Sequence, residues 1–511
     1  MKFLRKVIFN RIIFVIIAIL IQLLVLTGAI LKFNEYFVLF YGGNVLISMI
    51  AVLLIINNPI NPAYKIAWIV PILLFPIFGG LFYIFFGGNK LSGRTKKRMK
   101  SIEYKTREVL LPHEEILNDM KSKNEVAFNQ SKYIQNYAYG PPYKNTVAKY
   151  FSKGELKFER LKKELKKAEH YIFLEYFIIE KGVMWDSILD ILVEKVSQGV
   201  EVRVIYDDLG CTFTLPYRYD KQLESMGIKC SIFNPLIPVL SPRLNNRNHR
   251  KIAIIDGHTA FTGGINLADE YINEYEKYGH WKDSAVMIKG DAAWSLTVMF
   301  LSMWDYVRGI NEDISQYKKE VLNDYKYEDT GYIQPFTDNP VDDETVGEIV
   351  YLNLINKAKR YIYITTPYLI IDNEMVVALT SAAKSGVDVR IITPHHPDKW
   401  YVHAVTRSYY DSLIECGVKI YEYTPGFIHS KTFVVDDEFS VIGTINMDYR
   451  SLYLHFECGV WMYNSDTIID MKNDFLNTLK LSKNITLKDG EHIKWYKVIG
   501  RSILRLFSPL M

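Results

Sequence analysis

Cysteine is scarce: Cys211, Cys230, Cys416 and Cys458 are the four in 511 residues, and no two form a C-x-x-C pair. That excludes a zinc ribbon, argues against a disulfide framework and favours a reducing compartment. A surplus of one charge is missing too. The formal net charge is only +4, too weak globally to suggest a nucleic-acid groove. Charged residues make up 23% and apolar ones 49%, which excludes a disordered chain and a polytopic transporter. The length suggests more than one domain. Aromatics are abundant, with 36 Tyr, 27 Phe and 8 Trp, a load that suits surfaces near lipid headgroups.

Long uncharged runs are present, all within the first ninety residues. The run 12–31 has the length a helix needs to cross ~30 Å of hydrocarbon. A second, 36–56, follows with only Lys32 and Glu35 between. A third, 66–88, is broken by Pro71, Pro76, Gly79-Gly80 and Gly87-Gly88. Residues 1–90 are therefore expected to be a membrane domain. Lys2, Arg5, Lys6 and Arg11 precede the runs, and Lys90, Arg94, Lys96, Lys97, Arg98, Lys100, Lys105 and Arg107 follow them. Both flanks favour the cytosol, which needs an even number of spans. The third run then reads as re-entrant, and the catalytic part as cytoplasmic. Three full spans would put it outside. Residues 91–135 read as a basic juxtamembrane linker able to contact anionic lipid.

The remainder repeats itself. Ala168-Glu-His-Tyr-Ile is echoed by Ala358-Lys-Arg-Tyr-Ile, and Gly199-Val-Glu-Val-Arg-Val-Ile by Gly386-Val-Asp-Val-Arg-Ile-Ile. Around them an apolar run, a helical stretch and another apolar run suggest β-α-β units. One large unit is thus used twice, over 136–320 and 321–511.

Each copy ends in one constellation: His249, Lys251, Asp256, Gly263 and Asn266, then His429, Lys431, Asp436, Gly443 and Asn446, at identical offsets. Positions i and i+2 share a strand face, so each His stands beside its Lys. If Gly257-His258 and Asp437-Glu438 are two-residue hairpin loops, each Asn falls directly across the ladder from its His. His, Lys and Asn would then converge on a phosphate, with nothing resembling a metal cage. One imidazole cannot be nucleophile and acid at once; two facing half-sites can divide the roles. Asp256 and Asp436 belong to the catalytic motif but read more readily as partners of turn or Lys groups. The histidines at 395, 396 and 403 could shape a lipid site. The tail 495–511 reads as a membrane-surface amphipathic segment.

The paired pattern resembles the phospholipase D superfamily, and its details resemble the bacterial cardiolipin synthase branch. Those details include Asn61-Pro62-Ala-Tyr-Lys65-Ile-Ala-Trp68, Arg247-Asn248-His249, Asn446-Met-Asp448-Tyr-Arg450-Ser451 and Arg505-Leu-Phe-Ser508-Pro509-Leu510. The resemblance implies an α/β chain: N-terminal transmembrane helices, then two duplicated α-β-α domains with mixed sheets and an active site at their pseudo-twofold interface. It implies a multi-pass enzyme of the bacterial plasma membrane that joins two phosphatidylglycerols into cardiolipin and glycerol without metal or other cofactor. It makes His249 the nucleophile and His429 the general acid. Asn266, Asn446 and Thr444 would bind phosphate, and Glu457 would orient a histidine, with Asp283 standing in for it in the first copy. Gly264 replaces the hydroxyl residue present as Thr444, and His455 stands where relatives often carry Asn. Membrane lipids are the expected partners, nucleic acid is not, and a homo-oligomer stays open. Phosphodiester hydrolysis by the same intermediate is the alternative, since water could reach it before a lipid alcohol. A catalytically dead scaffold is disfavoured by the intact double motif.

Overall fold

The computed structural model describes residues 37–75, 93–236, 245–318, 331–340, 344–489 and 495–510, with isolated residues between them and within 20–32. The first half contributes β1 (Thr146–Phe151), β2 (Tyr171–Tyr176), β3 (Glu201–Asp207), β4 (Lys229–Phe233), β5 (Arg247–Asn248), β6 (Lys251–Ile255), β7 (Thr259–Gly263), β8 (His280–Lys282) and β9 (Ala285–Gly290). The second contributes β10 (Tyr332–Asp338), β11 (Tyr361–Thr365), β12 (Leu369–Ile370), β13 (Asp388–Pro394), β14 (Lys419–Tyr423), β15 (Gly426–Ile428), β16 (Thr432–Val435), β17 (Phe439–Gly443), β18 (Met447–Asp448), β19 (His455–Tyr463) and β20 (Ser482–Ile485). The sheet orders are β1-β9-β7-β6-β2-β3-β4 and β10-β19-β17-β16-β11-β13-β14-β20. They match strand for strand, with β20 added. Both sheets are mixed: β2, β3 and β4 run parallel, while β2–β6 and the β6–β7–β9–β1 pairs are antiparallel. An α/β chain with a duplicated mixed sheet is what the sequence implied.

The apolar strands have a simple cause. Both faces of each sheet are covered, so alternation gives way to continuous hydrophobic runs. In β6, Ile252 and Ile254 point into a core shared with the second sheet, while Ala253 and Ile255 point into an outer core. In β16, Val434 joins the shared core and Phe433 and Val435 the other outer one. Helices Ala293–Arg308 and Thr467–Lys480 fill the shared layer. The helix Val183–Ser197 links β2 to β3, and Asn373–Lys384 links the second pair. Each of these crossovers ends at a glycine with positive φ, Gly199 at 88° and Gly386 at 94°, a left-handed exit that a side chain would disfavour. These are the two glycines that open the repeated sequence blocks.

Residues 91–135, expected as a linker, are largely helical: Gly93–Val109, Glu114–Lys123 and Glu125–Tyr137. Their apolar residues join the cores, Met120, Ala127 and Ile134 in one and Leu110 in another. Ahead of them, a helix Phe37–Asn57 is followed by Pro62–Leu74. Ala51, Ile55, Trp68 and Ile72 pack the two together. Among the described residues no helix is long and apolar enough to cross a membrane; the side chains of Phe37–Asn57 are described only from Tyr41 on. Most of the run 12–31, and most of the third run beyond Phe75, lie outside the described residues.

Candidate active site

Each motif histidine is held by the opposite half of the molecule. β5 pairs with β19, and the His249 amide donates to the Phe456 carbonyl at 2.9 Å. β15 pairs with β8, and the His429 amide donates to the Lys282 carbonyl at 2.7 Å. The side chains follow. His249 Nδ1 lies 2.8 Å from Glu457 Oε1, and His429 Nδ1 lies 2.8 Å from Asp283 Oδ2. Both carboxylates are fully buried. Each carboxylate holds its ring through Nδ1. The two acids picked out in sequence thus each contact the ring of the other copy's histidine.

The lysines stand two residues on, as strand spacing requires. Lys251 Nζ donates to the His249 carbonyl at 2.5 Å, and Lys431 Nζ to the His429 carbonyl. Burial drives their basicity down, Lys251 to about 7 and Lys431 to about 8. Burial, then Lys251, Lys431 and His429, push His249 well below the usual imidazole value. Burial and Lys431 bring His429 to about 4, with Asp283 opposing. These mutual effects place both imidazoles and both amines in one electrostatic site.

One sequence expectation needs correcting. The hairpin loops have three residues, not two: Ile255 pairs with Thr259 and Val435 with Phe439. Asp256, Gly257, Asp436 and Asp437 adopt positive φ to make these turns. The register therefore slips by one, and neither Asn266 nor Asn446 lies directly across from its histidine. Asn266 accepts from the Ile178 amide at 3.0 Å and donates to the Tyr271 hydroxyl at 2.7 Å, so it braces the site wall. Asn446 keeps a buried Oδ1 with no partner in the structure, the one of the pair still open to a ligand's donor. Asp256 and Asp436, read in sequence more readily as partners of turn or Lys groups, each bind three backbone amides. Asp256 accepts from the Glu169, His170 and Tyr171 amides, each at 2.8 Å. Asp436 accepts from those of Lys359, Arg360 and Tyr361 at 2.6, 2.9 and 2.8 Å.

Thr444 is also used otherwise than expected. Its hydroxyl donates to Glu457 Oε2 and accepts from the Cys458 amide at 3.0 Å. It locks the carboxylate that locks His249. In the first copy a Cβ on Gly264 would sit 2.1 Å from Asp283 Oδ1. The glycine thus makes room for the carboxylate of Asp283, and the two half-sites solve one problem in two ways.

Sequence reasoning missed several supports. Glu175, buried within β2, accepts from Asn248 Nδ2 at 2.7 Å and is raised to about 7 by burial. A lone acid inside the apolar run 171–179 was its signal. Asp207 accepts from the Asn248 amide at 3.1 Å and from the Leu209 amide at 2.8 Å, fixing the approach to His249. Arg250 Nε donates to the Glu457 carbonyl at 3.2 Å. His455 stands 5.6 Å from His249, ring to ring. Its ligand atom, with those of His249 and Glu457, lies within a 4.8 Å span, but Glu457 is already engaged with His249. His395 and Arg407 pair with buried Glu422 at 2.8 and 2.6 Å, with His403 at 3.8 Å.

The comparisons with known proteins agree with this geometry. The chain matches the family described as "Cardiolipin synthase, PLD-like domain" over residues 161–304 and 351–479, the two halves just described. It is 36% identical to the cardiolipin synthase of Geobacillus kaustophilus, across 96% of this chain and 98% of that one. This chain belongs to the cardiolipin synthase family. Members are phosphatidyltransferases, and so is this chain. A second family member, the cardiolipin synthase of Halalkalibacterium halodurans, is 33% identical across 91% of this chain and 92% of its own. Residues 46–88 match a "Phospholipase_D-nuclease N-terminal" segment. The fold is shared with a solved phosphatidylserine synthase of Haemophilus influenzae, with a TM-score of 0.55 and 16% identity over 74% of this chain and 97% of that one.

Proposed function

We propose that this protein is a membrane-bound cardiolipin synthase that works through a phospho-histidine. The observation that carries the reading is the crossed pair of imidazole–carboxylate contacts, His249 with Glu457 and His429 with Asp283. Neutral His249 attacks the phosphorus of one phosphatidylglycerol. The bond to the headgroup glycerol breaks, and His429 gives its proton to the departing oxygen. A second phosphatidylglycerol then enters. His429 takes the proton from its headgroup hydroxyl, the oxygen attacks phosphorus, the P–N bond breaks and cardiolipin leaves. Lys251 and Lys431 stabilise charge on the non-bridging oxygens, and Asn446 orients the headgroup. No step uses a metal. The apolar runs 12–31 and 36–56 span the bacterial plasma membrane, 66–88 re-enters it, and the basic flanks keep both ends cytoplasmic.

The test is a lipid mass spectrum after incubating the purified protein, in detergent with chelator, with phosphatidylglycerol alone. Cardiolipin and free glycerol are expected. Phosphatidic acid without cardiolipin would make water the acceptor and overturn the transferase reading. His249→Ala and His429→Ala are each expected to cut turnover by more than about 10³-fold while the protein stays in the membrane fraction.

A further inference from the structure

Three sequence blocks singled out above have no part in the chemistry, and the structure brings them together. They are Asn61–Trp68, the stretch after Asn446, and the closing Ser508–Leu510. The helix Pro62–Leu74 packs on the short helix Tyr449–Tyr453 and on the turn Ser508–Leu510.

Asn61 is the hinge pin of this junction. Its Oδ1 caps the helix by accepting from the Ala63 amide at 2.9 Å. Its Nδ2 donates to Asp372 Oδ2 at 3.0 Å and to the Tyr453 hydroxyl at 2.8 Å. That hydroxyl lies 2.8 Å from Glu348 Oε1 and 2.7 Å from Asp372 Oδ2. One phenolic hydrogen cannot serve two carboxylates, and burial with Asp372 beside it raises Glu348 to about 8, toward the protonated form. Both acids are buried. Tyr64, one turn on, meets the Tyr449 and Tyr453 rings edge-on at 5.7 and 5.8 Å. The Tyr449–Tyr453 helix lies in the chain between Asn446 and Glu457, the acid that holds His249.

We propose that Asn61 is a positioning residue: it ties the helix leaving the apolar N-terminal region to the Asp372–Tyr453–Glu348 cluster and so holds the active site at a fixed height over the bilayer. This rests on the membrane-bound reading. The amide caps the helix with its oxygen while its nitrogen donates to both Asp372 and the Tyr453 hydroxyl. An aspartate keeps the cap, loses the donor and adds a like charge beside Asp372.

The test uses the full chain with two substrates: long-chain phosphatidylglycerol in proteoliposomes and monodisperse short-chain phosphatidylglycerol in detergent. Asn61→Asp is expected to slow turnover in the bilayer by about 10-fold or more and to leave the short-chain reaction within about 2-fold. The double variant Asn61→Asp/Asp372→Asn reverses donor and acceptor and is expected to recover bilayer turnover. Equal loss on both substrates, no loss on either, or a double variant no better than the single would overturn the proposal. The comparison is read on whichever product forms. A hydrolytic product would therefore defeat the transferase reading while the test of Asn61 still stands.

Discussion

Thr444 and Gly264 occupy matching places yet are not interchangeable, because the acids beside them differ in length. Glu457 reaches His249 only with its second oxygen held by the Thr444 hydroxyl. Thr444→Val should lower turnover roughly 10-fold by leaving that buried oxygen unpaired. Gly264→Thr should do more harm, since any Cβ there collides with Asp283, and it should match Asp283→Asn in turnover assays. Equal tolerance at both positions would contradict the packing. The free imidazoles pose a second question at this scale. Both are shifted toward the neutral form, His249 well below its usual value and His429 to about 4. That suits a nucleophile and leaves the acid unprotonated at pH 7. A phosphodiester anion buried beside them raises both, so the proton for the leaving group arrives with the substrate. Calorimetry of a phosphonate analogue of phosphatidylglycerol, in two buffers of different ionisation enthalpy, should show roughly one proton taken up on binding. Affinity should fall as pH rises. His429→Ala should take up less.

Among the elements, the hairpin turns at 256 and 436 matter most. Each aspartate gathers three backbone amides from the turn that feeds the central strand, and so registers β6 against β2 and β16 against β11. Asp256→Ala should cost about 1–3 kcal/mol, since the buried Tyr171 amide and two partly buried ones lose their partner. The fraction that stays folded should keep near-normal turnover. A variant that folds normally but loses turnover would return Asp256 to the chemistry. This also marks how far the sequence could be read. The duplicated motif revealed the two histidines and lysines, and the apolar runs revealed β2, β3 and the crossover helices, because both follow from local spacing. Loop length did not follow. Asp256-Gly257-His258 fits a two-residue or a three-residue turn equally well, and one residue decides what faces His249. The exchange of Glu457 and Asp283 between halves was also out of reach, since residues 208 and 146 positions from their histidines carry no local signal. The helices of 93–137 read as linker because their lysines masked the few apolar residues, Met120, Ala127 and Ile134, that dock them.

For the whole molecule, the two halves form one catalytic unit: β5 borrows β19, β15 borrows β8, and the central core is built from both sheets. On the proposed membrane-bound reading, a unit so joined would meet a bilayer at one orientation, presented by the N-terminal region. The helix Pro62–Leu74 leaves Ile66, Leu73, Leu74 and Phe75 exposed, and the neighbouring helix Trp495–Leu506 exposes Trp495, Ile499 and Ile503. Apolar side chains left bare on two adjoining helices suit the headgroup boundary. On the proposed membrane-bound reading, basic flanks on both sides of the apolar runs favour a chain that returns to the side from which it started. Single cysteines at Lys2 and Ser122 should therefore behave alike. In intact cells neither should react with an impermeant maleimide, and after permeabilisation both should. Three of the native cysteines are buried and Cys416 is half-buried, so replacing Cys416 clears the background. Labelling at Ser122→Cys in intact cells would mean an odd number of spans. It would move the active site to the outer face, where the phosphatidylglycerol of the outer leaflet would be its substrate.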